Sequence, residues 1–181
     1  MNFNVIPADN TGRIAIPSFS IQGQKVLRHF GGNLRGKRIA IWGLGCKADT
    51  DDICDSPALA LIDVLLAAGA QIAVSDPMAL QNVRQVFGDE IDYETNKWNA
   101  AQNADALVII TACKQFTGID VGALRWRLIE PTVFDCCNCL NESDLELGLF
   151  THYQTENATK ATLPNGSSAP RPQVNTLVAA C

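Results

Sequence analysis

The sequence predicts an α/β domain in three layers: a Rossmann-like, mostly parallel sheet with helices on both faces. Three observations carry this. Short runs of strand length, over 38–43, 71–75, 106–111 and 132–135, recur with helical segments between them. The runs are apolar throughout rather than alternating, the pattern of strands covered on both sides. Twice, at Ser56–Pro57 and Asp76–Pro77, an oxygen-bearing residue followed by proline marks a helix start after a strand.

The elements follow in order. Residues 1–20 are mixed, contain two prolines and read as a leader or linker ahead of a domain over 21–155. A helix over 22–30 puts Val26, Leu27 and Phe30 on one face, and Gly31-Gly32-Asn33 ends it. The first strand is 38–43. A helix over 58–68 opens on Ser56 and Pro57 and closes at Gly69. The second strand is 71–75, and Asp76–Pro77 opens a helix to Phe87, followed by Gly88. Then come a short strand over 91–93, a weak helix over 95–101, the clearest buried strand over 106–111 (ALVIIT) and a helix over 121–128. A strand over 132–135, a capped helix over 141–147 and a last strand over 149–153 complete the domain. From about 156 the chain turns to Asn, Thr, Pro, Gly and Ser, so 156–181 reads as a flexible tail.

Composition narrows the function. The chain has 181 residues, 47% of them hydrophobic, enough to bury a core without a staple. A charged fraction of 18% excludes a disordered or fibrous protein. The net charge of -5, with no basic run of five, argues against nucleic acid or a membrane surface as partner. No signal-peptide pattern opens the sequence, and no apolar run is long enough for a bilayer, so the expected location is cytoplasmic. Seven cysteines in such a compartment read as buried thiols, metal ligands or redox groups before a disulfide framework.

Gly43-Leu44-Gly45-Cys46-Lys47-Ala48 follows the first strand and fits the G-x-G-x-x-G/A dinucleotide pattern, with Asp76 where a ribose-binding acid would sit. Against that reading, the helix start lies well downstream at Ser56–Pro57. The intervening loop holds four aspartates, which would repel a pyrophosphate. The alternative is a tight turn that needs glycine for its backbone alone.

The block Gly36-Lys37-Arg38-Ile39-Ala40-Ile41-Trp42-Gly43-Leu44, then Lys47-x-x-Thr50-Asp51-Asp52-x-x-x-Ser56-Pro57-Ala58-Leu59, resembles the C-terminal, UDP-binding domain of the UDP-glucose 6-dehydrogenase family. Further matches follow in order: Leu65-x-x-Ala68-Gly69-Ala70, Asp76-Pro77, Ala104-Asp105-Ala106-Leu107-Val108 and Phe134-Asp135-x-x-Asn138. Together they cover about 20–155. The resemblance implies a part in the NAD-dependent oxidation of UDP-glucose to UDP-glucuronate. In that family an N-terminal domain binds NAD, and a cysteine ahead of a long central helix is the nucleophile. Carried over, Lys47, Thr50, Asp135 and Asn138 are the substrate-binding candidates, and Gly43, Gly45, Asp51, Asp52, Ser56 and Pro57 shape the loop. Where the family has arginines reaching cofactor and substrate, this chain has Cys54 and Cys137; an aromatic position is Cys46. Cysteine offers neither the charge nor the donor fork.

About 35 residues ahead of Gly36 cannot hold a second βαβ unit, so the expectation is a stand-alone domain with no catalytic residue. It would bind UDP-sugar weakly and hold no cofactor alone. A separately encoded N-terminal half would be its partner. The alternative is a non-catalytic binding or regulatory module, or a scaffold. Cys46, Cys54, Cys136, Cys137 and Cys139 fall in two loops expected at one cleft. A metal or redox site using Cys46, Cys54, Cys136 and Cys139 stands beside the simpler reading of thiols packed as small hydrophobes. Cys113 and Cys181 are expected to take no part, His29 and His152 to be packing or surface residues, and Trp42, Trp98 and Trp126 to pack in the core and against helices.

Overall fold

The apolar runs become strands because their side chains alternate between two buried sides of one sheet. A computed structural model describes residues 18–154, with side chains from Gln22 onward. Most of the expected leader, the tail and Cys181 lie outside the described residues. The order is α1 (Ser18–His29), β1 (Arg38–Trp42), α2 (Pro57–Ala67), β2 (Gln71–Ser75), α3 (Leu80–Phe87), β3 (Asp92–Tyr93) and α4 (Lys97–Ala101). It continues with β4 (Ala106–Ile109), a 3-10 turn (Lys114–Phe116), α5 (Val121–Arg125), β5 (Thr132–Asp135), α6 (Glu142–Leu147) and β6 (Thr151–Gln154). Among the described residues all six strands are parallel, in the order β3-β2-β1-β4-β5-β6. The winding reverses between β1 and β4, so a crevice opens at their carboxyl ends.

One side of the sheet buries Ile39, Ile41, Ile72, Val74, Val108 and Phe134 against Val26 of α1, Leu61, Ile62 and Leu65 of α2 and Val83 of α3. The other buries Ala40, Trp42, Ala73, Leu107, Ile109 and Val133 against Ala100 and Ala101 of α4, Leu124 of α5 and Leu145 of α6. Period two along β1, β2, β4 and β5 therefore feeds two cores, and polar residues on the strands gather at strand ends and on the edge strands β3 and β6. Side-chain oxygens start the helices: Ser56 accepts from Ala58 N, Asn96 from Trp98 N, Asp120 from Ala123 N and Asn141 from Ser143 N. At the amino end of β4 the buried Asp105 accepts from Lys37 Nζ and Arg38 N, each at 2.8 Å. Asp105 and Glu130 hold the Lys37 ammonium above its usual range.

The structure differs from the sequence expectations in four places. The helix after Asp76–Pro77 begins at Leu80, because Asp76 Oδ1 takes the N–H groups of Met78 and Ala79, both at 2.8 Å, in a turn ahead of it. β4 ends at Ile109, where the chain turns toward β1. A 3-10 turn follows that the sequence did not signal. Trp126, expected to pack, is 88% exposed, because α5 ends at Arg125 and turns Leu124 inward instead. Trp42, by contrast, is fully buried. It stacks on Phe116 at 5.3 Å between ring centroids and meets Trp98 edge-on, and its Nε1 donates to Lys97 O at 3.0 Å. Trp42→Ala is expected to cost about 3–5 kcal/mol and Trp126→Ala about 0.5 kcal/mol or less, as denaturant titration would measure. Equal costs would contradict this packing.

Candidate functional site

The carboxyl ends of β1, β4 and β5 carry three loops, over 43–56, 110–120 and 136–141. The first is built around two glycines. At Gly43, with φ of +86°, a Cβ would lie 2.7 Å from Thr111 N; at Gly45 it would lie 2.7 Å from Thr50 O. Only glycine lets this loop sit against the end of β4. Thr111 Oγ1 donates to Gly45 O at 2.9 Å, Ser56 Oγ to Leu44 O at 2.6 Å, and Cys46 N to Asp52 O at 2.8 Å. Gly43, Gly45 and Ser56 make these contacts in the loop, and Pro57 begins α2. Thr111 joins them. Its place at the end of an apolar run was the only signal, and a weak one.

This geometry overturns the dinucleotide reading of the turn. No helix starts at Gly45; α2 opens twelve residues later at Pro57. Asp76, 3% exposed, accepts from Leu44 N at 2.7 Å as well as from Met78 N and Ala79 N. Its carboxylate organises two loops instead of facing a ribose.

Lys47 is exposed on this loop and Thr50 is half-buried, its Oγ1 accepting from Asp52 N at 3.2 Å. Asp51 is exposed, and its main-chain oxygen accepts from Asn82 Nδ2 at 2.8 Å. Asp52 Oδ1 accepts from Cys54 N at 2.9 Å. That bond, with the Cys54 and Cys46 thiols and the Lys47 charge, holds the Asp52 carboxyl below its usual value, and Asp52 in turn pushes the Cys54 thiol up.

On the β5 loop, Asp135 is fully buried and turned to its own backbone. Oδ1 accepts from Cys137 N at 3.2 Å and Oδ2 from Leu140 N at 2.9 Å. Asn138 stands exposed at the loop's apex with φ of +53°, a left-handed conformation that asparagine tolerates. Cys136 packs against the core on the α1 and α2 side, where burial pushes its thiol up to about 12. Cys137 and Cys139 pack on the opposite side. The expected four-thiol set is therefore not assembled. Among the described residues the one group that brings ligand atoms together is Asp135, Cys137 and Cys139. Cys113 is 1% exposed, and burial raises its thiol. His29 packs edge-on to Phe134 and meets Tyr153 Oη at 3.1 Å. His152 is half-buried, and burial lowers its pKa.

These features define a Rossmann-like α/β domain whose exposed chemistry sits at the crevice between β1, β4 and β5. Residues 40–142 match the model of the UDP-glucose/GDP-mannose dehydrogenase family, UDP binding domain, and the chain belongs to that family. It is 37% identical over 123 residues to the UDP-glucose 6-dehydrogenase of Rhizobium meliloti, covering 68% of this chain and 28% of that protein. It is 42% identical over 99 residues to the UDP-glucose 6-dehydrogenase AglM of Haloferax volcanii, covering 54% of this chain and 23% of that one. A solved UDP-glucose dehydrogenase from Pyrobaculum islandicum superposes with a TM-score of 0.60 at 26% identity, over 76% of this chain and 29% of that one. The chain thus spans under a third of the length of each. Among the described residues no helix is long and apolar enough to cross a membrane.

Two outcomes follow from the loop geometry. Asp76→Ala strands three backbone donors and should cost about 3 kcal/mol or more in denaturant titration; a negligible cost would return Asp76 to a ligand role. The Asp52 carboxyl carbon, followed by NMR, should titrate below the ordinary 3.8. Asp52 then steadies the loop above that value, and its contribution is lost as pH falls through the lowered one. A midpoint at 3.8 or above contradicts the arrangement.

Proposed function

We propose that this chain is the nucleotide-sugar-recognising, C-terminal part of a UDP-glucose 6-dehydrogenase-type oxidoreductase, and that it oxidises nothing alone. The observation that carries this is the matched loop from Lys47 to Pro57, standing at the switch-point crevice with Lys47 exposed. Ligands of open α/β sheets sit outside the carboxyl ends of the strands at such a point. An ammonium there is a compact point charge for a diphosphate or a sugar carboxylate. Thr50 and the Asn138 amide are the polar groups nearest to it in role. Asp135 supports the reading indirectly, by holding the loop that displays Asn138.

The oxidation itself needs a domain that holds NAD and a nucleophilic cysteine. In this reading the N-terminal half of such an oxidoreductase supplies both, and the partner ligand is a UDP-sugar. Affinity is low because Cys54 and Cys137 stand where the resemblance places guanidinium groups, each charged hydrogen bond being worth about 1.5–3 kcal/mol. Those same two cysteines favour a second reading, a binding or regulatory module that never takes part in catalysis.

Calorimetric titration of the reduced, metal-free chain with UDP-glucose and UDP-glucuronate tests the proposal. Saturable binding is expected, with Kd between about 10 μM and a few mM. Lys47→Ala should weaken it about tenfold, the equivalent of 1.4 kcal/mol. No binding at millimolar ligand would overturn the reading.

A further inference from the structure

We propose that Asp135, Cys137 and Cys139 form a site for one thiophilic divalent cation of the zinc class. The proposal is independent of nucleotide-sugar binding, since it rests on three side chains at the carboxyl end of β5 alone.

Local backbone geometry assembles the site. Beyond β5 the strand alternation continues for two residues, sending Cys136 to one core and Cys137 to the other. Asn138, left-handed at φ +53°, then turns the chain so that Cys139 returns to the side of Cys137. The ligand atoms of Asp135, Cys137 and Cys139 all lie within 4.8 Å of one another. Cys137 Sγ is 3.4 Å from Asp135 Oδ1. A tetrahedral zinc ion, with Zn–S about 2.3 Å and Zn–O about 2.0 Å, holds sulfur and oxygen about 3.5 Å apart. The spacing of Cys137 Sγ and Asp135 Oδ1 matches that value.

The surrounding contacts hold these groups in place before an ion arrives. Leu140 N fixes Asp135 Oδ2 at 2.9 Å; Oδ1 accepts from Cys137 N and from the Cys137 thiol, and the second of these lone pairs is freed for a metal when that thiol gives up its proton. Backbone donors to a ligating carboxylate, such as Leu140 N on Asp135, orient ligands at metal sites. Cys139 donates its S–H to Phe116 O at 3.9 Å, a bond it exchanges for the ion when its proton leaves. Two thiols and one carboxylate select zinc, cadmium or cobalt over magnesium or calcium. Both thiols are half-buried beside the exposed Asn138, so water can complete the fourth position. Binding is an exchange without oxidation: the ion forms two metal–sulfur bonds and one metal–oxygen bond, and the two thiol protons pass to solvent.

The test uses the full, reduced 181-residue chain and cobalt(II) as probe. One equivalent should bind, with sulfur-to-cobalt charge transfer in the near ultraviolet and the visible bands of tetrahedral cobalt, and zinc should displace it. Losing an outer partner costs 10–100-fold in metal affinity, so Cys137→Ser and Cys139→Ser should each cost about 100-fold or more. Cys46→Ser and Cys54→Ser should leave binding unchanged. A readout on the unmutated chain does not depend on the variants folding: zinc should protect Cys137 and Cys139, but not Cys54, from iodoacetamide in mass-spectrometric mapping. Absence of the charge-transfer band, loss of binding in the Cys46 or Cys54 variant, or equal alkylation with and without zinc would each overturn the proposal.

Discussion

Backbone amides just beyond a strand in a doubly covered parallel sheet have neither a ladder partner nor water, and something buried must accept from them. In this domain aspartates do so. Asp76, Asp105 and Asp135 are 3%, 5% and 0% exposed. Asp76 gathers Leu44, Met78 and Ala79, Asp105 takes Arg38 and the Lys37 ammonium, and Asp135 takes Cys137 and Leu140. Each carboxylate ties one strand end to a loop. At the crevice, Asp76 holds the start of the β1 loop through Leu44, and Asp135 holds the β5 loop that projects Asn138.

This constraint lets the β1 loop hold its course without charged side chains at Cys54 or Cys137. The turn at Gly43 and Gly45 is fixed by close contact with Thr111 and Thr50 and by hydrogen bonds from Thr111, Ser56 and Cys46. None of these interactions calls on the side chain at Cys54 or at Cys137, so the charge of a side chain at either position can change while the loop path stays intact. Shape and ligand affinity are therefore separable in this domain. A similar loss elsewhere, at Asp76 for example, would take the shape with it.

Much of the fold was legible in the sequence because burial on both faces leaves a plain mark. The runs at β1, β2, β4 and β5 are polar only at their ends, and Ser56 and Asn141 announce their helices as N-caps. Other features were not legible, for physical reasons. A carboxylate at a strand end looks the same in sequence whether it faces a ligand or its own backbone, and Asp76 turns to the backbone. Spacing along the chain does not give the side of the sheet, so Cys136 and Cys139 read as a pair although they pack on opposite faces. Trp126 carries the composition of a core residue and lies just past the end of a five-residue helix, where no apolar neighbour covers it.

The central claim is that the loops at the carboxyl ends of β1, β4 and β5 are the ligand-facing surface of this domain. The most direct measurement is the map of backbone amide shifts on adding UDP-glucuronate to the isotope-labelled chain. The account requires the perturbed amides to fall within residues 43–56, 110–120 and 136–141. Shifts centred instead on the exposed edge around Trp126 and Leu147, or none at saturating ligand, would contradict it.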